Sequence, residues 1–355
     1  MVEPVAIQKC GYENLDIAAL LGPLGGLGSI IKKGDKVLLK VNLLSASEPI
    51  KAVTTNPAVV EAVAKAVMEA GGTPIIGDSP AGAFSKFWLE RAYKAAGFKD
   101  LAKRLGIELN YDTGSRIVEI PQGKVLKRSK ICNYILNADR IVALPKIKTH
   151  MLMVLTLSTK IMYGSIPGLT KARYHARFSK RTDFAKMLMD ILTAVRPDLF
   201  IMDGVIGMDQ NGPGSGRPVK IGVMMASKDP LAMDLAVCQI IGVEPLGVPT
   251  LREARIRELW PKEIGFPLLR PEDVKYKGFE LPKRAGELAK GGKGGKLSPS
   301  PTDKCIACGR CEALCPRKAI KVVEKRAKVN YGLCIRCYCC HEVCPENAID
   351  LVEIK

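Results

Sequence analysis

No stretch of this chain stays apolar for the ~18 residues that a membrane span needs. The N-terminus, Met1-Val2-Glu3-Pro4, has no basic segment leading into an apolar one. A secretory leader is therefore not expected, and the cytoplasm is the default compartment. Histidine is scarce, with three in 355 residues. Several common motifs are missing as well. No G-x-x-x-x-G-K-[ST] occurs, and Gly291-Gly292-Lys293-Gly294-Gly295-Lys296 has the wrong spacing for one. Gly22, Gly25, Gly26 and Gly28 do not follow a strand pattern, so a dinucleotide fingerprint is unsupported. Neither G-x-S-x-G nor H-E-x-x-H appears. ATP hydrolysis, NAD chemistry and serine hydrolysis thus lack their usual signatures.

What is present is an ordinary globular composition, 47% hydrophobic and 25% charged. The length suits one sizeable α/β domain with a small appendage. Strand-like and helix-like segments alternate. Lys36–Asn42 is rich in Val and Leu. Asn56-Pro57 reads as an N-cap followed by proline at the first helical position, and Val59, Val60, Val63, Ala64 and Val67 then recur at helical spacing. Gly71-Gly72 closes that helix, and Thr73–Gly77 reads as a buried strand. Ser85–Ala96, Thr182–Val195 and Pro230–Ile241 read as further helices, and Arg140–Pro145, Leu199–Asp203 and Lys220–Ala226 as further strands. The pattern predicts an α/β fold with a mostly parallel sheet sandwiched by helices.

Twelve cysteines could mean disulfides, but nine of them fall between Cys305 and Cys344. The spacing C-x2-C-x2-C-x3-C-P occurs at Cys305, Cys308, Cys311, Cys315 and Pro316. It recurs at Cys334, Cys337, Cys340, Cys344 and Pro345. The repeat extends beyond the cysteines, since Ala319-Ile320 matches Ala348-Ile349. This is the ligand spacing of bacterial two-cluster ferredoxins, in which the fourth cysteine of each run crosses to the other cluster. One [4Fe-4S] cluster is then expected on Cys305, Cys308, Cys311 and Cys344, and a second on Cys334, Cys337, Cys340 and Cys315. Zinc sites favour C-x2-C pairs separated by a longer gap, which does not match. Cys339 falls outside the spacing and reads as a bystander. Cys10, Cys132 and Cys238 read as buried small hydrophobes. The expected domains are an α/β domain at 1–284, a Gly/Lys/Pro linker at 285–301 and a ferredoxin-like α+β domain at 302–355.

Charge is unevenly spread. The formal net charge is +18. Between Lys146 and Lys186, nine basic residues face one acidic residue, Asp183, which concentrates +8 in one segment. Such a patch suits an anionic small molecule, an acidic protein or nucleic acid, and it can also be a solvated face. Nucleic acid is disfavoured, because only Tyr174 and Phe178 supply aromatics within the patch.

Several segments together resemble the domain-of-unknown-function family 362, often fused to a two-cluster ferredoxin. They include Lys40-Val41-Asn42, Thr54-Thr55-Asn56-Pro57, Gly77-Asp78-Ser79 and Leu144–His150. Thr156-Leu157-Ser158-Thr159-Lys160, Asp203–Met208 with Gly212-Pro213, and Asp229–Asp234 complete the set. The resemblance covers roughly residues 5–245 and implies no reaction. Where the family often shows Lys-Asn-Leu, this chain has Lys160-Ile161-Met162. A shorter segment, Gly164–Gly168 followed by His175, is similar to one in the nickel-pincer lactate racemase group.

Ligands of α/β sheets bind at the carboxyl ends of strands. Asn42 and Asp78 end the first two strands; Lys146, Lys148 and His150 follow the strand at 140–145. Asp203 is expected to end its strand and open a glycine-rich loop over 204–216, whose N–H groups could hold an anion. Candidate substrate-binding residues are Lys146, Lys148 and Arg173, and candidate catalytic residues are His150, His175 and Asp203. The leading expectation is a redox enzyme fed by an external electron donor or acceptor, ferredoxin-like or a flavoprotein. The alternatives are an electron carrier whose basic domain docks a partner, and a nucleic-acid-binding protein with sensor clusters.

Overall fold

The computed structural model describes residues 2–282 and 297–353. At its centre is a nine-stranded sheet flanked by helices. Across it the order is Ala6–Lys9, Arg217–Ser227, Leu199–Asp209, Arg140–Leu144, Lys36–Val41, Thr73–Gly77 and Glu108–Leu109. Pairing is parallel from Leu199–Asp209 to Glu108–Leu109 and antiparallel on the other side. After Pro145 the chain continues as the strand Lys146–His150, which pairs in parallel with the C-terminal half of Leu199–Asp209. Val154–Leu155 folds back onto it.

The strands are buried on both faces, as a helix-covered sheet requires. Along Lys36–Val41, Val37, Leu39 and Val41 enter one apolar core, while Leu38 enters the core on the opposite face. Period-two alternation places Lys40 on the Leu38 side. The helix Pro57–Glu69 forms where expected: the Asn56 side chain accepts from Ala58 N, and Val59, Val60, Val63, Ala64 and Val67 are buried. Asp229 caps the helix Pro230–Ile241 by accepting from Leu231 and Ala232 N–H, and Gly242, at φ +69°, ends it.

Two expectations change at the strand ends. The strand starting at Leu199 does not stop at Asp203. It runs to Asp209 and returns as Arg217–Ser227, with a bulge between Gly204 and Ile206. The glycines expected to cradle an anion serve close packing: a Cβ on Gly204 would meet Ile147 Cδ1 and Val223 Cγ2 at 2.8 Å, and one on Gly207 would meet Ile147 O at 2.8 Å. Lys146, Lys148 and His150 do follow the strand Arg140–Leu144, and they lie in a further strand of the sheet, Lys146–His150.

The C-terminal module is built from two similar halves. Helix Arg310–Leu314 precedes the hairpin Ile320–Val323/Arg326–Val329, and helix Cys339–Val343 precedes the strand Ile349–Glu353. Residues 297–301, expected within the linker, form a strand antiparallel to Ile349–Glu353. Pro299 and Pro301 are tolerated because a two-stranded sheet needs donors on one side only. The rest of the expected linker, 285–296, lies outside the described residues. Ala172 of the α/β domain packs into the module's small core, beside Cys311, Leu314 and Val343.

Candidate functional site at the domain seam

The cysteines come first. None of the twelve is joined in a disulfide. Cys305, Cys308, Cys311 and Cys344 line one small chamber, and Cys315, Cys334, Cys337 and Cys340 line another. The structure thus brings together the two expected sets, with Cys339 also on the wall of the second chamber. Backbone N–H groups point at the sulfurs: Ala319 N lies 3.1 Å from Cys315 Sγ, Ala348 N 3.2 Å from Cys344 Sγ and Ala327 N 3.4 Å from Cys305 Sγ. Such donors stabilise thiolate ligands and tune a cluster. Among the described residues, no three His, Cys, Asp or Glu side chains are placed to hold a single ion. Four sulfurs spread around a chamber fit a cubane, whose irons are bound at its corners.

Beside the second chamber lies a cavity of about 90 Å³ between the two domains. The α/β domain contributes Asn42, Asp78, Ser79, Lys148, Thr156, Lys160, Tyr163, Lys171 and His175; the C-terminal module contributes Leu314, Cys339 and Glu342. Cys339 lines both the cavity and the Cys315/Cys334/Cys337/Cys340 chamber.

Three lysines face this cavity without a carboxylate hydrogen-bonded to them. Lys148 Nζ donates to Asn42 Oδ1 at 2.9 Å and to the Val53 and Pro213 carbonyls at 2.7 and 3.4 Å. Burial, with Lys160 and Lys146 nearby, pushes its ammonium down to about 7. Lys171 Nζ donates to the Ser79 and Pro80 carbonyls and to Ser79 Oγ, and burial lowers it to about 8. Lys160 has no hydrogen-bond or ion-pair partner among the described residues. Its Nζ stands 5.7 Å from the Tyr163 ring centroid, and burial lowers its pKa. Asp78 adds no free counter-charge, because Lys40 Nζ holds one oxygen at 2.9 Å and Leu43 N the other at 2.7 Å.

Local structure places these groups. Asp234, expected only as part of a motif, accepts from Ser158 N at 2.7 Å and Thr159 N at 3.0 Å, capping the short helix Leu157–Ile161 that carries Lys160. Burial raises Asp234 to about 6, and these donors oppose the rise. The approach to that helix is strained: Val154, at φ +67°, and Leu157, at φ +48°, adopt left-handed backbone, which β-branched and bulky residues rarely do.

The predicted residues separate. Lys148 and His175 line the cavity. His175 is buried, its ring 4.5 Å from Phe184, and its Nδ1 has no hydrogen-bond partner; burial lowers its pKa to about 3. His150 sits behind Glu342. Its Nδ1 accepts from Leu152 and Met153 N–H, which leaves the proton of the neutral ring on Nε2. Nε2 is 3.2 Å from Glu342 Oε1, yet the two are misaligned and neither makes a hydrogen bond. Lys146 and Asp203 do not reach the cavity. They form a buried ion pair at 2.7 Å, and Asp203 also accepts from Tyr12 Oη and Asn56 N. Arg173 is exposed and faces elsewhere. Lys160, Lys171, Tyr163 and Glu342 were not expected at a site. Lys160 and Lys171 were visible only as members of the basic segment, and Glu342 lies between two ligand cysteines in the sequence.

Comparisons with known proteins agree with both halves. A family model described as "Domain of unknown function (DUF362)" matches residues 37–239, and one described as "4Fe-4S dicluster domain" matches residues 304–352. A thylakoid-associated protein of Synechocystis, sll1697, is 35% identical over 297 residues, covering 80% of this chain and 89% of that protein. Among solved structures, the lactate racemase apoprotein of Thermoanaerobacterium thermosaccharolyticum aligns with a TM-score of 0.41 at 12% identity, over 67% of this chain and 56% of its own. No helix among the described residues is long and apolar enough to cross a membrane.

Proposed function

The chain belongs to the DUF362 family and ends in a 4Fe-4S dicluster domain, and from that premise we propose that it is an oxidoreductase acting on an anion held in the cavity between the two domains. The observation that carries this reading is Cys339, one side chain that lines both the cavity and a cysteine chamber. Two [4Fe-4S] clusters, held by Cys305, Cys308, Cys311 and Cys344 and by Cys334, Cys337, Cys340 and Cys315, would supply or accept electrons singly. An external carrier, ferredoxin-like or a flavoprotein, exchanges electrons with the protein, and the default compartment is the cytoplasm.

The chain's own residues bind and orient the anion. Lys148, Lys160 and Lys171 supply positive charge in a site shielded from water, where charge–charge attraction is stronger than in bulk solvent. Lys148 and Lys171, lowered to about 7 and 8, can also give or take a proton near neutrality. A pure carrier needs no such chamber. The basic segment does not form one continuous outer face either, since Lys146, Lys148 and Lys171 are buried and Lys160 is partly so.

Iron and sulfide content fixes the number of clusters first. The test of function is reoxidation of dithionite-reduced holo-protein by a panel of organic carboxylates and phosphates, followed by cluster absorbance. At least one member is expected to speed reoxidation in the wild type and to lose that effect in Lys160→Gln at unchanged iron content. A panel without effect, or an effect equal in the variant, refutes the reading.

A further inference from the structure

A further chamber, of about 190 Å³, adjoins the 90 Å³ cavity and shares Ala81, Gly82 and Leu314 with it. The two lie side by side against those three residues, as the inner and outer sections of the seam. Their chemistry differs. The inner section carries Lys148, Lys160 and Lys171, with Glu342 as the only carboxylate that no lysine or backbone donor holds. His175 also lines it, on a buried ring whose Nδ1 has no hydrogen-bond partner. The outer section is walled by Pro80, Trp88, Leu169, Ala313 and Val343, with Arg310 at the rim, its guanidinium 5.5 Å from the Trp88 ring. Trp88 and Leu169 are exposed large apolar side chains, so this section opens outward.

Resting on the reading of the cavity as an anion site, we infer that its ligand is an amphipathic organic anion, with its charged head among the lysines and an apolar tail in the outer section. A hydrophilic anion would leave the outer walls facing water. A neutral apolar molecule would leave three inner lysines with Glu342 as their one unheld counter-charge, and a buried cation is costly without one. An anionic head with an alkyl or aryl tail satisfies both sections at once, which is how ligand pockets combine apolar walls with a few placed polar groups.

Calorimetric titration of the anaerobic holo-protein with acetate, octanoate and 1-octanol tests this directly. Octanoate is expected to bind roughly tenfold or more tightly than acetate, because its methylenes leave water, while 1-octanol binds far more weakly. Lys160→Gln is expected to weaken both acids, and Leu169→Asp to bring the octanoate-to-acetate affinity ratio toward one. Equal affinity for the two acids, 1-octanol binding as well as octanoate, no binding of octanoate, or a ratio unchanged in Leu169→Asp overturns the inference. The readout is heat of binding and not electron flow. Octanoate binding no tighter than acetate, beside reoxidation by a hydrophilic anion, would defeat this inference and leave the redox reading standing, and tight octanoate binding with no reoxidation by any anion would do the opposite.

Discussion

Around Lys146 every charge has a partner. Its ammonium meets Asp203 at 2.7 Å, and Asp203 is held in turn by Tyr12 Oη at 3.0 Å and Asn56 N at 2.9 Å. Around Lys148, on the same strand, the ammonium meets only an amide oxygen and two carbonyls, and Lys160 and Lys171 approach the same space with no carboxylate hydrogen-bonded to them. Both regions bury lysines, yet only the second is left with positive charge to spare. Burial of a lysine is therefore not the mark of a binding site. A missing counter-charge beside a cavity is. The first region ties the N-terminal segment, the helix at Pro57–Glu69 and the long hairpin together, and the second leaves room for something the chain does not itself provide.

The sharpest way to break this contrast is to remove the carboxylate from the paired region. Asp203→Asn leaves the Lys146 cation buried without its partner, and losing one side of a buried pair costs about 3–5 kcal/mol. Chemical denaturation of the holo-protein should show a loss of that size. A change under about 1 kcal/mol would mean that Lys146 is not held by charge, and the two regions would no longer differ in kind. Next comes Asp234→Ala, which removes both acceptors for Ser158 and Thr159 N–H. The expected cost is about 1–2 kcal/mol, typical of a lost helix cap. It should come with weaker octanoate binding, because the capped helix carries Lys160. Stability lost with binding intact would separate the cap from the cavity.

Much of the molecule was legible in the sequence, for a physical reason. The eight spaced cysteines fall in two short runs, so local spacing alone suggests what they hold, and the structure brings them into two chambers, the second of which Cys339 also lines. Strands and helices such as Lys36–Val41 and Pro57–Glu69 announce themselves through local periodicity and caps. The cavity is different. Lys148, Lys171 and Glu342 meet across separations of up to 194 residues, and no local pattern records which lysine finds a carboxylate. Lys146 and Lys148 look alike in sequence, and only the register between Lys146–His150 and Leu199–Asp209, which sets Asp203 opposite Lys146, tells them apart. Asp203 misled for a related reason: a glycine-rich segment after an acidic strand residue suggests a loop, while here the glycines admit a neighbouring strand. Asn42 and Asp78, at strand ends where α/β sheets gather ligands, do line the cavity.

The smallest expected effect belongs to Lys148→Met, and it discriminates best. The variant keeps the apolar stem and removes a cation to which no carboxylate is hydrogen-bonded. The Asn42, Val53 and Pro213 oxygens lose a donor, while the cost of desolvating a charge disappears, so net stability near neutral pH should move by about 1 kcal/mol or less. The pH dependence carries the decision. Lys148 loses its proton at about 7 in the folded chain and near 10.5 in its ordinary state. Between those values the unfolded chain holds a proton that the folded chain lacks, so Lys148 makes stability rise with pH across that window. Below it both states are protonated and the full cost of burying the cation is felt. Removing Lys148 should therefore help the fold more at pH 6 than at pH 9, by denaturation measured at both. An equal effect at the two pH values would show that Lys148 is as well compensated as Lys146, and the lysines of the cavity would then be structural.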